Sequence, residues 1–135
     1  MKADKLISDI KYSDYQGFIL PGGKVVVDNL MKCEQLKTWL IDANKYKKVI
    51  AAICAAPQIL GHLGILDGRE ATSYPGCVAG MEKAMYNDEM AAVTDGNVIT
   101  GASVGSSINF ALAIVDQVVG ADKVFALQNE LVIRD

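Results

Sequence analysis

Short apolar runs bounded by turn residues predict the strands of this chain. Gly17–Leu20 ends at Pro21-Gly22-Gly23, and Val49–Ile53 runs without a linker into Cys54. Apolar runs of about four to eight residues between turn signals are typical of strands that are buried on both faces. We therefore predict a buried strand before each of these points.

Weaker strand signals follow in the second half of the chain. A short strand is predicted over Glu70–Ser73. Ala92–Thr94 and Val98–Thr100 flank Asp95-Gly96-Asn97, a pattern that is typical of a hairpin with a glycine-containing loop. We also predict a last strand over Leu131–Ile133.

Helical periodicity predicts the elements between the strands. Apolar residues recur at helical spacing over Glu34–Asn44, which gives one buried stripe. Pro57 stands in the first turn of a second helix, where its missing N–H is tolerated, and Gly61 and Gly64 end that helix early. A short helix is predicted over Asp122–Leu127.

The longest helix signal comes near the carboxyl end. Ser106 or Ser107 is predicted to cap a helix that continues through Val119. Apolar residues occupy nearly every face of this segment. A helix that is hydrophobic all round is typical of a buried position, so we predict that this helix lies inside the molecule.

The order of these elements predicts the fold class. Strands that alternate with helices are typical of α/β proteins with a mostly parallel sheet. No internal repeat or linker-like run divides the chain, so residues 1–135 are expected to form a single domain. Because 51% of the residues are hydrophobic, the chain can bury a sizeable core without disulfides or a metal ion.

Charge and hydropathy argue against two classes of partner. Sixteen acidic and thirteen basic residues give a net charge of −3, which provides no footprint for nucleic acid or an anionic membrane surface. Residues 49–66 carry no charge, and that length approaches a membrane span. Pro57, Gln58 and His62 favour a buried strand that turns into a helix, so we expect no membrane association.

The cysteines predict neither a disulfide framework nor a metal site. Cys33, Cys54 and Cys77 are odd in number and lack a CxxC spacing. A reducing, cytoplasmic setting is therefore expected, and the polar first residues carry no signal-peptide core. We also expect no cofactor, because the chain lacks a GxGxxG or phosphate-loop motif.

Cys54 is the sharpest candidate for chemistry. It stands between an apolar strand and a helix, with the small residues Ala55 and Ala56 beside it. This is the layout of a nucleophile elbow, in which a strained turn projects a side chain above the sheet and the helix N-terminus favours the thiolate. A small buried hydrophobe is the commonest role of a free cysteine, and the local pattern leaves both interpretations open.

The Pro21-Gly22-Gly23 turn favours the interpretation as a reactive site. In an open parallel sheet, ligands bind at the carboxyl ends of the strands, and this turn and Cys54 each leave such an end. The amides of Gly23 and Ala55 are then predicted to form an oxyanion pocket around the sulfur, with Gly22 beside it. A flexible turn is the alternative role of a Gly-Gly pair.

Other candidates near Cys54 have simpler explanations. His62 falls about two turns along the next helix and is predicted to point away from the sulfur as a structural residue. Tyr74 is expected to pack, and hydrogen bonding near Cys54 is the alternative. Cys77 follows the Tyr74-Pro75-Gly76 turn; we expect a structural role, with a resolving thiol as the alternative.

Together these residues resemble the ThiJ/PfpI superfamily, in its parkinsonism-associated protein and deglycase branch. The matching segments occur in the family's order over almost the whole chain: residues 17–23 (GFILPGG), 51–57 (AAICAAP), 95–100 (DGNVIT) and 105–115 (GSSINFALAIV). The resemblance implies a flavodoxin-like three-layer α/β sandwich, usually a homodimer, with Cys54 as the reactive, oxidation-prone cysteine. It also implies that Tyr74 and Pro75 lie near the binding site.

The resemblance further implies that parts of the family's site are missing. The family's first strand, first helix and following strand normally precede the point where this chain begins, so we expect an N-terminally truncated domain. The first of these strands supplies a glutamate that hydrogen-bonds the cysteine sulfur. Tyr74 stands where family members commonly carry histidine, and tyrosine is a poor general base near neutral pH.

Two more departures from the family pattern limit the chemistry. This chain has Ala102-Ser103-Val104-Gly105 where the branch often has Arg-Gly-Pro-Gly, so a cation near the pocket and the dimer contact is lost. The protease-like members place histidine directly after the cysteine, where this chain has Ala55. We therefore do not expect a peptidase.

The expected function is cysteine chemistry on small α-oxoaldehydes or their adducts, of the glyoxalase or deglycase type and with weak turnover. The alternative is a thiol redox sensor or stress-response protein that reacts with an oxidant through Cys54. A third possibility is an incomplete domain whose sheet is completed by a partner or by strand swapping, which predicts an obligate dimer.

Overall fold

Apolar strands of four or five residues build the central sheet of the computed structural model, which describes residues 2–134. Short 3₁₀ turns lie at Ile7–Asp9, Tyr12–Asp14 and Val104–Ser106. The other elements are β1 (Gly17–Leu20), α1 (Lys24–Met31), α2 (Glu34–Lys45), β2 (Val49–Ile53), α3 (Pro57–His62), β3 (Glu70–Ala71), β4 (Met85–Tyr86), β5 (Ala92–Asp95), β6 (Val98–Gly101), α4 (Ser107–Val119) and α5 (Ala121–Glu130).

The main sheet has four strands in the order β1-β2-β6-β5. β1, β2 and β6 run parallel, with Ile19 opposite Ala51 and Ile50 opposite Val98, and β5 pairs antiparallel with β6. The mostly parallel sheet and the hairpin around Gly96 are therefore confirmed. Helices lie on both sides of the sheet, as in a flavodoxin-like fold.

Alternating side chains divide this sheet into two faces. The face that we call the packed face lies against α1, α2 and α3, and Leu40 and Leu60 of these helices are fully buried. The face that we call the α4 face lies against α4, and its buried cluster consists of Ala51, Ile99 and Phe110. Most of the core therefore lies on the packed face.

The prediction that α4 is a buried helix was wrong. Phe110 is the one buried residue of α4, whereas Ile108, Val118 and Val119 are 56%, 58% and 59% exposed. Apolar residues on all sides do predict burial, but within residues 2–134 only one side of α4 has the sheet and α5 against it. Ser106 precedes α4 as predicted, although its hydroxyl makes no cap hydrogen bond.

The carboxyl end of the chain also departs from its prediction. α5 extends beyond Asp122–Leu127 on both sides, and Leu131–Ile133 forms a turn instead of a strand. The N–H of Leu131 donates to Leu127 O, and the N–H of Ile133 donates to Gln128 O. These bonds end the helix and use the backbone groups that a strand would need.

Two short elements carried too weak a signal to be predicted. α1 follows Gly23 directly and buries only Val27. The sequence did not predict it, because three consecutive valines hide the helical period. β4 consists of two exposed residues that pair in parallel with β3. The predicted strand Glu70–Ser73 is shortened to β3, since the N–H of Thr72 donates to the Thr100 hydroxyl instead of to a neighbouring strand.

α2 and α3 are confirmed as predicted, with α3 ending at His62 before Gly64. The uncharged residues 49–66 accordingly form β2, the turn at Cys54, α3 and the turns that follow. Within residues 2–134, none of the helices has the length and apolar character needed to cross a membrane.

Candidate functional site

Cys54 lies at the sharp turn between β2 and α3. Its φ of 66° is in the left-handed region, which costs a residue with a side chain on the order of 1 kcal/mol. The N–H of Cys54 donates to Gly101 O at 2.9 Å, and its carbonyl accepts the N–H of Tyr74 at 2.8 Å. These bonds hold the turn in the strained strand-to-helix geometry that the sequence predicts.

Gly22 is pressed against the Cys54 side chain. A Cβ atom at position 22 would lie 2.5 Å from Cys54 Cβ, 3.0 Å from Ile53 O and 3.2 Å from Cys54 Sγ. Such distances are far inside van der Waals contact, so only glycine fits. The carboxyl ends of β1 and β2 therefore meet, as expected for parallel neighbours, and they bring Gly22 to the sulfur.

Gly23 and Ala55 directly follow Gly22 and Cys54 in the chain. Gly23 has a φ of 94° and is the N-cap residue of α1, where its carbonyl accepts the N–H of Val27. Ala55 is buried in the core of the packed face, and its carbonyl accepts a hydrogen bond from the Gln58 side chain at 3.0 Å. The small size of Ala55 and Ala56 lets α3 begin directly behind the sulfur.

The Tyr74-Pro75 turn is brought to the site by its backbone. The hydrogen bond from Tyr74 N–H to Cys54 O anchors it, and the N–H of Cys77 donates to Tyr74 O at 2.8 Å. The Tyr74 side chain is 49% exposed, so the expected packing role does not describe it. Pro75 is exposed in the same turn.

A small cavity of about 260 Å³ opens beside Ala55. It is lined by α1, by α3 and by the turn that carries Cys77. Gln58 and His62 approach it from α3, and Lys24 and Asp28 form an exposed ion pair of 3.8 Å at its rim. His62, which was predicted to point away from the sulfur as a structural residue, lines this cavity, and Cys54 is not part of the lining.

Sequence reasoning did not identify the Gln58 and His62 pair, nor Lys24 and Asp28. Each pair is separated by four residues on one helix, a spacing that places both side chains on one helix face. That spacing was the available signal for a polar rim. Within residues 2–134, no three metal-binding side chains lie together.

The family model described as the DJ-1/PfpI family matches residues 1–117. The chain belongs to the DJ-1/PfpI family. Among curated proteins, it is 36% identical over 130 residues to the Parkinson disease protein 7 homolog of Danio rerio, covering 93% of this chain and 67% of that protein. The Arabidopsis thaliana protein DJ-1 homolog B is 31% identical over 135 residues.

Solved structures of the DJ-1/PfpI family share the fold. Oxidized DJ-1 of Toxoplasma gondii superposes with a TM-score of 0.89 at 28% identity, covering all of this chain and 73% of that one. The match to the Arabidopsis protein covers 99% of this chain but only 31% of that protein. The chain thus spans about a third of the length of this plant relative.

Proposed function

We propose that this DJ-1/PfpI chain acts on small α-oxoaldehydes or their adducts through Cys54, with weak turnover. The observation that carries the proposal is the strained backbone of Cys54, with Gly22 against its side chain. Backbone strain of this kind persists where the surrounding structure enforces it, and it is concentrated at functional sites. Cys54 and Gly22 meet at the carboxyl ends of parallel strands, where α/β proteins bind ligands.

The proposed chemistry begins with addition of the Cys54 thiolate to the aldehyde carbon. A carbon–sulfur bond forms, the carbonyl π electrons move to oxygen, and protonation of that oxygen gives a hemithioacetal. The amides of Gly23 and Ala55 are proposed to stabilise the oxyanion before it is protonated. The former aldehyde proton then moves to the neighbouring carbon, and the hydroxyl proton of the hemithioacetal moves to the ketone oxygen, which gives a thioester. Water cleaves this thioester to a hydroxy acid and the free thiol.

Weak turnover follows from the groups that are available for the proton transfer. Tyr74 is half exposed and is a poor base near neutral pH. His62 lines the neighbouring cavity beside Ala55. Tyr74 is a phenol, and the lining of the cavity that contains His62 does not include Cys54, so we propose no dedicated base for rapid transfer. Ala55 in place of a histidine argues against a peptidase.

The test is hydroxy-acid formation from methylglyoxal by the purified chain. We expect slow formation of lactate that is abolished by Cys54→Ser and unchanged by the matched variant Cys33→Ser, since Cys33 is also a partly buried free cysteine and lies outside the cavity. Equal activity in the Cys54→Ser variant would refute the assignment of the nucleophile. Rapid, Cys54-dependent turnover would instead contradict the weak turnover proposed here.

A second candidate function is redox sensing by the same thiol. Cys54 is partly exposed at its strained turn, and the related Toxoplasma gondii structure is of an oxidized protein. Mild peroxide followed by mass spectrometry should then find added oxygen on Cys54 before Cys33 and Cys77. Equal oxidation of the three cysteines would argue against a sensor.

We also propose a homodimer of single-domain chains in the cytoplasm. The dimer is supported by membership of a family whose structures are often dimeric, and the location by the free state of Cys33, Cys54 and Cys77. Light scattering of the purified chain measures the first of these, and fluorescent tagging in cells measures the second.

A further inference from the structure

The backbone ties a second cysteine, Cys77, to the turn at Cys54. The N–H of Tyr74 donates to Cys54 O at 2.8 Å, and the N–H of Cys77 donates to Tyr74 O, also at 2.8 Å. The second bond closes a β-turn, in which the first and last Cα atoms lie within about 7 Å of each other. Two hydrogen bonds in series therefore connect the two cysteines.

The carbonyl group of Cys77 is fixed as well. It accepts a hydrogen bond from the Ser73 hydroxyl at 2.8 Å, and Ser73 is only 1% exposed. Both backbone groups of Cys77 are thus bonded within the turn that begins at Ser73. This turn is the one whose Tyr74 N–H is bound to Cys54.

The Cys77 side chain faces the residue that follows Cys54. Ala55 and Cys77 line the same cavity of about 260 Å³, and neither Cys33 nor Cys54 is part of that lining. All three cysteines are free and partly exposed. Cys77 therefore differs from Cys33 in its place in the fold, since only Cys77 lies next to the turn at Cys54.

We propose that Cys77 is the resolving thiol of Cys54, so that a hydroperoxide converts the two cysteines into an intramolecular disulfide. This role rests on the redox sensing proposed above and names its product. A disulfide requires Cα atoms about 4.4–6.8 Å apart, and the turn closes toward Cys54 to reach this distance. Gly76, with a φ of 84° directly before Cys77, provides the backbone freedom for that movement.

The reaction has two steps. The Cys54 sulfur attacks a peroxide oxygen: a sulfur–oxygen bond forms, the oxygen–oxygen bond breaks, and the leaving oxygen takes the thiol proton. The Cys77 sulfur then attacks the Cys54 sulfur. A sulfur–sulfur bond forms, the sulfur–oxygen bond breaks, and the departing hydroxide takes the Cys77 proton and leaves as water. The two sulfurs together lose two electrons, and the peroxide gains them.

The disulfide protects Cys54 from irreversible oxidation. A sulfenic acid that is not resolved is oxidised further to a sulfinic acid, which thiols do not reduce. A disulfide is reduced by thiol–disulfide exchange with a dithiol, which is itself oxidised. Cys54 is accordingly blocked while peroxide is present and returns to the free thiol when a dithiol reductant is added.

The first test compares the disulfides that the unmodified chain forms when it is folded and when it is unfolded in urea. Nearly the same length of chain separates Cys54 from Cys33 and from Cys77, so the unfolded chain should form these two pairs in similar amounts. In the folded chain, an equimolar amount of hydrogen peroxide should favour the Cys54–Cys77 pair over the Cys33–Cys54 pair by about tenfold or more. Mass spectrometry of the unreduced digest measures this ratio, and similar amounts of both pairs in the folded chain would overturn the proposal.

The second test uses Cys77→Ser, with Cys33→Ser as the matched control. Cys77→Ser should prevent the disulfide and raise the trapping of Cys54 sulfenic acid by dimedone about tenfold, whereas Cys33→Ser should change neither. After excess peroxide, dithiothreitol should restore the Cys54 thiol in Cys33→Ser and not in Cys77→Ser. The comparison in urea uses no variant, so a loss of stability in Cys77→Ser does not affect it.

The remaining outcomes separate this role from redox sensing itself. Lasting oxygen on Cys54 of the unmodified chain, without a disulfide, would overturn the role of Cys77 and leave redox sensing at Cys54 standing. A disulfide formed only between two chains would have the same meaning. Oxidation of all three cysteines at equal rates would overturn both proposals.

Discussion

The two faces of the sheet differ in how many residues they bury. The buried cluster of the packed face has sixteen members, and that of the α4 face has three. Both faces receive apolar side chains from the same strands, because Ile50 and Ala51 point to opposite sides of β2. The sequence thus provides for burial on both faces, whereas the fold of residues 2–134 completes only one.

The two faces also contribute differently to the support of the turn at Cys54. Ala55 and Ala56, which follow Cys54, belong to the core of the packed face. The α4 face reaches the site through Phe110, which packs against Gly101, whose carbonyl accepts the Cys54 N–H. The turn at Cys54 therefore has the larger buried cluster of the packed face behind it.

Cavity formation should show the largest difference between the faces. Leu60 is fully buried on the packed face, and Leu60→Ala should lower the free energy of unfolding by about 3 kcal/mol through lost burial and a residual cavity. Ile114 is only partly buried on α4, so Ile114→Ala should cost about 1 kcal/mol or less. Urea denaturation measures both values.

Equal losses for Leu60→Ala and Ile114→Ala would contradict the comparison. They would mean that the α4 face is covered in solution as completely as the packed face.

The packed face could be predicted well from the sequence, and the α4 face could not. Pro57 marks the start of α3, and α2 has a one-sided apolar pattern. Both helices contribute buried residues to the core of the packed face. α4 has the pattern of a buried helix, but what covers such a helix is a property of the assembly. A pattern in one chain reports that a surface is apolar and does not report which molecule covers it.

The site was predictable to the same extent and for a related reason. Cys54 and Gly22 each follow a strand, and the end of a strand is visible in the sequence. The rim that carries His62 and Lys24 depends on how α1 packs beside α3, which no local pattern records. The cap at Ser106 could be placed by its position, although its side chain makes no cap bond.

Adding a methyl group should destabilise the protein on both faces, and the difference between the two losses should be smaller than for the cavity variants. A Cβ at Gly61 would lie 2.5 Å from Gly80 O on the packed face, and one at Gly101 would lie 2.9 Å from a Phe110 ring atom. Backbone cannot move aside as a side chain can, so Gly61→Ala should cost about 2 kcal/mol and Gly101→Ala about 1 kcal/mol. Thermal unfolding measures both, and a larger loss for Gly101→Ala would show that α4 is firmly packed.

The buried hydroxyl of Thr72, next to β6, is a polar group whose removal should not destabilise the protein. The Thr72 side chain is 1% exposed, and its oxygen has no hydrogen-bond partner within the described residues. Removing an unpartnered buried polar group is neutral or favourable, so Thr72→Val should raise the free energy of unfolding by up to about 1 kcal/mol. Thr100→Val is the contrasting variant, because the Thr100 hydroxyl accepts the N–H of Thr72, and it should destabilise. A loss of stability in Thr72→Val would reveal a bound water on this hydroxyl.

The smallest expected effect concerns Glu82, in the loop that lies over α3 on the packed face. Its own N–H and that of Gly80 lower the pKa of this carboxyl below its usual 4.5, and His62 adds to the lowering. A depressed carboxyl pKa stabilises the folded state above the unfolded pKa. That contribution is lost as the pH falls from about 4.5 through the folded pKa.

Glu82→Gln should therefore be slightly less stable than the unmodified chain at pH 7, and equal to it at a pH low enough to protonate Glu82 in both the folded and the unfolded state. Glu130→Gln, at the exposed end of α5, is the matched control for loss of one negative charge. Carbon NMR of the Glu82 carboxyl gives the titration midpoint, and thermal unfolding at both pH values gives the stability difference. A midpoint at or above 4.5 would mean that the Gly80 N–H does not bind this carboxylate in solution.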